Sequence, residues 1–217
     1  MEKVRFLDIQ TAPSFASPFA GIGKDIGELK TEIVRKSIHF LIALSPLMAA
    51  INRPLTVLFL ITGTLGYTLM EYMRLSGVKV PVISSLTSMS SRSRDMGRFV
   101  MGPVTLGFGA LLALLLYPSP VASIAIYALA FGDGFASLVG KFFGKWRPAI
   151  MCGKSVEGSF ACFAAVFISA FAVSHSINIA LLAAFTATVV EALPLADFDN
   201  MAIPVTVGLA VQFFNFL

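Results

Sequence analysis

Charged residues are scarce in this 217-residue chain, and that scarcity determines its class. Asp, Glu, Lys and Arg make up 13% of the sequence and hydrophobic residues 57%, with a mean hydropathy of +0.84. Soluble globular domains carry about 25% charged residues. The composition therefore excludes a soluble globular domain and predicts an integral membrane protein. The net charge of +4 gives no reason to expect a nucleic-acid partner, because anionic headgroups and the membrane potential account for it.

Cysteine is equally sparse, and several common sequence signals are missing. The two thiols, Cys152 and Cys162, are too few for a metal site and are predicted to be reduced and structural. Residues 1–31 show no cleavable signal peptide, and the chain shows no internal repeat and no second soluble domain. We therefore expect residues 1–27 to form a mobile or interfacial arm and residues 28–217 to form a single transmembrane domain that holds the whole function.

Long apolar runs are what the chain does contain. Several approach the roughly 20 residues that cross a hydrocarbon core of about 30 Å. They predict an all-α, polytopic transmembrane helical bundle of about seven helices, or six if the first run does not span. The runs are Ile38–Ile51, Leu55–Met70, Val100–Tyr117, Val121–Val139, Val156–Ser174, Ile177–Leu193 and Ile203–Leu217.

The basic residues orient this predicted bundle, because cytoplasmic loops carry the excess of Lys and Arg. Fifteen of the 16 basic residues lie before the first run, between the second and third runs, or between the fourth and fifth runs, and these segments share one side of the membrane. Arg53 is the one basic residue on the other side. The N-terminus and the functional site are therefore predicted to be cytoplasmic. The membrane is expected to be a bacterial plasma membrane or a eukaryotic organelle membrane.

Asp133 stands inside an apolar run, where an ionised carboxylate costs several kcal/mol unless it is compensated. At about 100° per residue, Asp133 shares one helix face with Ser137, Gly140 and Gly144. The glycines are equally typical of close helix packing. Packing does not explain the acid, which needs a partner, and basic residues follow it closely at Lys141, Lys145, Arg147 and Lys154.

Two further clusters have the composition of a phosphate site. Glu32, Arg35 and His39 fall on one helical stripe, with Lys36 beside it. A surface helix with internal ion pairs and a core histidine are the alternatives. The segment Gly153–Gly158 opens a predicted helix whose N-terminus favours phosphate binding. It is not a P-loop, because Pro148 occupies the position of the first glycine.

A third cluster follows the sixth run. Pro194 and Pro204 bracket a predicted turn with side-chain oxygens that suit Mg²⁺ bound jointly with a nucleotide phosphate. The alternative is a solvated loop. The cluster comprises Glu191, Asp197, Asp199 and Asn200. The serine- and arginine-rich loop from Ser84 to Arg98 is left open between nucleotide binding, anionic lipid binding and a purely topological role.

Four ordered motifs carry a resemblance to a known family. They are Glu32-x-x-Arg35-Lys36-x-x-His39; Gly132-Asp133-Gly134-Phe-Ala136-Ser137-x-x-Gly140-x-x-x-Gly144-Lys145; Gly153-Lys154-Ser155-x-Glu157-Gly158; and Glu191-Ala-Leu with Asp199-Asn200 before Pro204. Over about residues 28–206 they resemble the CTP-dependent lipid kinases, which include dolichol kinase, phytol kinase and the yeast-type diacylglycerol kinase and are distantly similar to phosphatidate cytidylyltransferase. The resemblance implies phosphoryl transfer from CTP to the hydroxyl of a membrane lipid alcohol of the polyprenol, dolichol, phytol or diacylglycerol type, with a divalent metal.

The polar residues agree with this implication, since phosphoryl transfer requires positioning and neutralisation of phosphate charge. Mg²⁺ is expected on Asp133 and Asp199, with Asp197 or Glu191 assisting. Glu157 or Asp133 is expected to take the proton of the lipid hydroxyl, with Lys154 as a third catalytic residue. The expected contacts to the triphosphate are Arg35, Lys36, Gly140, Lys141, Lys145, Lys154 and Ser155. The expected supporting residues are His39, Ser137, Gly144 and Asn200.

Two other functions stay open at this point. An enzyme like phosphatidate cytidylyltransferase would use the same polar groups but release pyrophosphate and form a CDP-lipid. A small transporter would bind an ion or a solute at its intramembrane acid. Against transport, the sequence shows no inverted repeat and its predicted outer loops are almost bare of charge. The acceptor lipid, the preference for CTP over ATP and homo-oligomerisation are left open.

Overall fold

A computed structural model describes residues 19–78 and 97–214, and these residues form helices and connecting turns without a β-strand. Seven helices are present among them, which confirms the predicted all-α bundle and its helix number. Helices α2, α4 and α5 are long and apolar enough to cross a membrane, and α3 and α6 are shorter apolar helices. The helices are α1 (Phe19–Ile42), α2 (Ser45–Leu75), α3 (Gly102–Leu116), α4 (Val121–Phe142), α5 (Val156–Ser174), α6 (Ile177–Ala192) and α7 (Asp199–Phe214).

The first predicted span is wrong, because it is not one continuous helix. The run Ile38–Ile51 is divided between two helices, because α1 ends at Ile42 and α2 begins at Ser45. Pro46 favours this start, because the N–H group that proline lacks would have no hydrogen-bond partner in the first turn of a helix. A second interruption lies at Asn52, whose φ of −152° and ψ of 94° are not helical. Pro54 follows it, and the Asn52 side chain caps the resumed helix by accepting from the Leu55 N–H at 3.0 Å.

Two sequence predictions fall mainly outside the part of the chain that the structure describes. Residues 1–18 of the expected N-terminal arm lie outside it, and α1 already begins at Phe19. Residues 79–96, which hold most of the Ser84 to Arg98 loop, also lie outside it. The division into an arm and a catalytic domain therefore stays a prediction.

Helix α4 occupies the core of the bundle. Ala125, Ala128 and Leu129 are completely inaccessible to solvent, and Ala122 and Ala136 are also buried. The middle of α4, Ala128–Asp133, is a π-helical turn between two α-helical segments. Such widened turns are rare and frequently occur at functional sites. This turn ends on Asp133, the acid that the sequence marks as anomalous.

Polar contacts divide the bundle into two unlike ends. At one end Arg53 donates to the carbonyl oxygens of Leu114 and Tyr117, the latter at 3.0 Å, and so closes the C-terminus of α3. The C-terminal ends of α2, α4 and α6 lie at the other end. There the fully buried Glu71 carboxylate accepts from Arg74 at 2.8 Å and from the Val100 N–H at 3.0 Å. The charge-rich end is the one that the distribution of Lys and Arg predicts to be cytoplasmic.

Candidate active site

Asp133 is buried, and its charge is compensated inside the bundle. Its Oδ2 atom forms an ion pair with Lys36 Nζ of α1 and lies 3.0 Å from His39 Nδ1. Ser137 Oγ, one turn further along α4, donates to Oδ1 at 3.3 Å. Asp133 and Lys36 are only 4% and 2% exposed, so this ion pair is shielded from water. The partner of the acid is therefore a lysine 97 residues upstream and not one of the basic residues that follow it.

The glycines on either side of Asp133 allow the main chain of α4 to pass between two helices. A Cβ on Gly134 would lie 2.6 Å from the ring of Phe40 on α1. A Cβ on Gly132 would lie 2.8 Å from Val166 and 3.3 Å from Cys162 Sγ, both on α5. A side chain at either position would push α4 away from its neighbours. The Gly-Asp-Gly sequence thus brings the carboxylate within reach of α1.

Arg35 and Glu32 extend the polar face of α1 beyond this buried pair. They form an ion pair with each other, and Lys141 Nζ of α4 lies 4.0 Å from Glu32 Oε2. Arg35 Nε is buried and has no hydrogen-bond partner among the described residues. An unused guanidinium donor beside a buried lysine is a suitable contact for a phosphate oxygen. The phosphate contact of Arg35 stays a prediction.

A second charged group joins the beginning of α5, the end of α6 and the start of α7. Lys154 Nζ lies 3.2 Å from Glu191 Oε1 and 3.7 Å from Asp199 Oδ2, and it donates to the main-chain carbonyl of Glu191. Ser159 Oγ donates to the other Glu191 oxygen at 3.3 Å. One ammonium group thus holds two carboxylates from different helices. The sequence placed these residues at a common rim, and the structure brings them into contact.

The two charged groups influence each other electrostatically. Burial and the Asp133 carboxylate raise the pKa of Asp199, which precedes the apolar run of α7, to about 6, while Lys154 opposes the shift. Asp197 contributes in the same direction as Asp133, from the short turn Ala196–Phe198. Burial is the main cause of this shift, and the neighbouring carboxylates add to it. A bound cation would offset both effects.

The donor set can be tested against the Mg²⁺ that the resemblance implies. No three His, Cys, Asp or Glu side chains of the described ranges are grouped closely enough to enclose a metal ion. Mg²⁺ usually binds through one or two carboxylates together with substrate phosphates. Glu191 and Asp199, which converge on one ammonium, fit that mode. Asp133 is paired with Lys36 just as Glu191 and Asp199 are paired with Lys154, so its metal-ligand role stays a prediction, as does that of Asp197.

The glycine strip of α4 forms a packing seam with α5. Ser155 caps α5 by accepting from the Gly158 N–H at 3.1 Å, and it is 3% exposed. A Cβ on Gly140 would lie 2.9 Å from Ser155 Oγ, and one on Gly158 would lie 2.7 Å from the Ala136 carbonyl oxygen. Gly144 likewise packs on Ser155. These contacts agree with close packing, the alternative left open by the sequence, and show no free group for the expected phosphate contacts of Gly140 and Ser155.

Glu157 contacts the loop between α4 and α5. Its Oε1 accepts from the main-chain N–H groups of Lys145 at 3.0 Å and Trp146 at 3.2 Å. Both residues are exposed. The structure thus gives Glu157 a loop-fixing contact set. It does not place Glu157 in either charged group.

Asn200 joins the start of α7 to the start of α3. Its Nδ2 donates to Thr105 Oγ1 at 3.0 Å and to the Gly102 carbonyl at 3.4 Å. This bond positions Asp199, the preceding residue, and supports the predicted auxiliary role of Asn200. Sequence reasoning missed Thr105 and Ser159. Thr105 gives no sequence signal, whereas Ser159 follows Ser155 by one helical turn.

Comparisons with known proteins give distant but consistent relatives. The chain is 28% identical over 143 residues to the probable phytol kinase, chloroplastic, of Triticum aestivum. The aligned region covers 58% of this chain and 48% of that protein. It is 26% identical over 176 residues to the CTP-dependent diacylglycerol kinase 1 of Eremothecium gossypii, covering 67% and 54%. It is 24% identical over 154 residues to the phytol kinase 1, chloroplastic, of Arabidopsis thaliana, covering 63% and 51%.

The chain spans about half the length of the curated relatives it matches. No family model matches it, and no solved structure matches it. The names of these relatives confirm the resemblance to CTP-dependent lipid kinases that the four motifs indicated.

Proposed function

We propose that this chain transfers the γ-phosphoryl group of CTP to the hydroxyl of a membrane lipid alcohol. The observation that carries the proposal is the juxtaposition of two charged groups at one end of an apolar bundle. One is Asp133 with Lys36 and His39, and the other is Lys154 with Glu191 and Asp199. Relatives named phytol kinase and CTP-dependent diacylglycerol kinase support both the nucleotide and the lipid alcohol.

Basic residues would position the triphosphate and neutralise its charge, which is most of what phosphoryl transfer requires. Arg35 offers an unused donor, and Lys154 would exchange part of its contact with the two carboxylates for phosphate oxygens. Glu191 and Asp199 would hold Mg²⁺, which when bound supplies charge neutralisation at the phosphates. The triphosphate would therefore lie between the ends of α1, α5 and α7.

Asp133 would receive the proton of the lipid hydroxyl. Of the two predicted proton acceptors, Glu157 is engaged by main-chain amides of an exposed loop, whereas Asp133 lies inside an apolar helix beside which a lipid could bind. Lys36, His39 and Ser137 would hold the carboxylate in position. The apolar tail would follow the aromatic face beside this site, where the Phe40 and Phe135 rings are 5.2 Å apart.

The direct test supplies purified protein in lipid nanodiscs with Mg²⁺ and CTP labelled at the γ position. The acceptors are phytol, dolichol, a shorter polyprenol and diacylglycerol, each presented separately. Label in the phosphorylated lipid supports the proposal and identifies the acceptor. Label in pyrophosphate together with a CDP-lipid would show a cytidylyltransferase instead. Replacing CTP by each other nucleoside triphosphate measures the preference for the base.

A further inference from the structure

The loop between α4 and α5 presents large apolar side chains at the charge-rich end of the bundle. Phe143, Trp146 and Ile150 are 68%, 66% and 87% exposed, and Phe142 precedes them at the end of α4. Exposed apolar groups on the sides of the helices face acyl chains in a membrane protein. Groups in a terminal loop would instead face water unless the loop lies against the bilayer.

Hydrogen bonds hold this loop in place. Glu157 accepts from the amides of Lys145 and Trp146, and the Trp146 carbonyl accepts from the Val156 N–H at 3.0 Å. Arg147 donates to the carbonyl of Gly140 at 2.6 Å and to that of Gly153. These hydrogen bonds fix the main chain of the loop, so the exposure of its apolar side chains is a property of the folded structure.

The charge of the same stretch is of one sign. The sequence contains no Asp or Glu between Asp133 and Glu157 but four basic residues. Arg147 and Lys154 are used in internal contacts. Lys141 lies 4.0 Å from Glu32 at the bundle surface but is still exposed, and Lys145 is exposed as well. Aromatic side chains with flanking lysines are typical of the layer between acyl chains and headgroups. The partner that matches both features is an anionic lipid surface.

We propose that this loop, residues 142–151, is an interfacial surface that binds anionic phospholipid. Phe143, Trp146 and Ile150 lie among the upper acyl chains, and Lys145 with Lys141 contacts the phosphate groups above them. This assignment gives Lys145 a lipid phosphate as its partner in place of the nucleotide triphosphate. The proposal does not depend on the enzymatic activity.

Trp146 makes the proposal directly measurable, because it is the only tryptophan of the chain. The intact protein is placed in nanodiscs of phosphatidylcholine with a fixed fraction of brominated lipid, either phosphatidylglycerol or phosphatidylcholine. Bromine near the carbonyl end of the acyl chain should quench Trp146 more strongly than bromine near the methyl end. At equal mole fraction, brominated phosphatidylglycerol should quench more than brominated phosphatidylcholine.

The lysine variants test the headgroup contact. Lys145→Gln should reduce the preference for phosphatidylglycerol by about fivefold, the equivalent of the ~1 kcal/mol that one basic side chain contributes near an anionic surface. Lys145→Arg keeps the charge and should retain the preference. Equal quenching by the two lipids in the unaltered protein would overturn the anionic specificity. Quenching of Trp146 by aqueous acrylamide with none by either brominated lipid would overturn the interfacial position.

Discussion

Separating the structural and chemical contributions of the Asp133–Lys36 pair gives the sharpest prediction. Both side chains are almost completely buried. Removing one charge strands the other in an apolar interior, which costs about 3 to 5 kcal/mol for a buried pair. Asp133→Asn and Lys36→Met should therefore each lower the free energy of unfolding by that amount. Each should also abolish phosphoryl transfer.

The double variant Asp133→Asn with Lys36→Met distinguishes the two effects. Replacing both members of a buried ion pair by well-packed hydrophobic residues is often neutral or stabilising, and here the introduced amide keeps His39 and Ser137 as polar neighbours. The free energy of unfolding should therefore return to within about 1 kcal/mol of the original value. Transfer should stay absent, because the proposed proton acceptor is missing.

Unfolding by a denaturing detergent in mixed micelles measures the stabilities, and transfer of γ-label from CTP to lipid measures the activity. Recovery of activity together with stability in the double variant would refute the chemical role of Asp133. Single variants as stable as the original protein would refute the burial of the pair.

Two further predictions concern the second charged group and the packing of α4. Lys154→Met should raise the KM for Mg·CTP strongly, because the triphosphate loses a cation and Glu191 and Asp199 lose their shared partner. Lys154→Arg keeps the charge and should recover part of the loss. An unchanged KM in Lys154→Met would exclude Lys154 from nucleotide binding. Gly134→Ala should destabilise the bundle by about 1 to 3 kcal/mol, because its Cβ would overlap the Phe40 ring. Gly63→Ala in α2 is the matched control, since nothing lies within 4 Å of its Cβ, and helix propensity should make it neutral or slightly stabilising. Equal effects of the two alanines in a thermal unfolding assay would contradict the close approach of α1 to α4.

Hydropathy and charge distribution predicted the helical bundle and the end that carries the polar residues. They missed the break between α1 and α2, because Ala43 and Leu44 are apolar and continue the run without a polar marker. Helix parity was sufficient to place Lys154, Glu191 and Asp199 at one rim. Their contact distances depend on side-chain packing, which the sequence does not encode locally.

The partner of Asp133 illustrates a different limit. Sequence proximity favoured the lysines that follow the acid, whereas the actual partner is determined by which helix lies alongside α4. The glycines show the same dependence on neighbours. Gly140 and Gly144 fit a ligand-binding strip and a packing seam equally well in sequence, and only the position of Ser155 distinguishes the two.

The π-helical turn in α4 changes the direction in which all later residues of the helix point. An α-helix advances about 100° per residue, whereas the π-helical turn closes its hydrogen bonds one residue later and delays the rotation of everything beyond it. An angle of about 100° per residue therefore predicts which residues of α4 share a face only when all of them lie on the same side of Ala128–Asp133. Deleting one residue from that turn should restore α-helical hydrogen bonding, rotate Asp133 away from Lys36 and leave the composition of the span nearly unchanged. The contact between Asp133 and Lys36 thus depends on one extra residue in the central helix of the bundle.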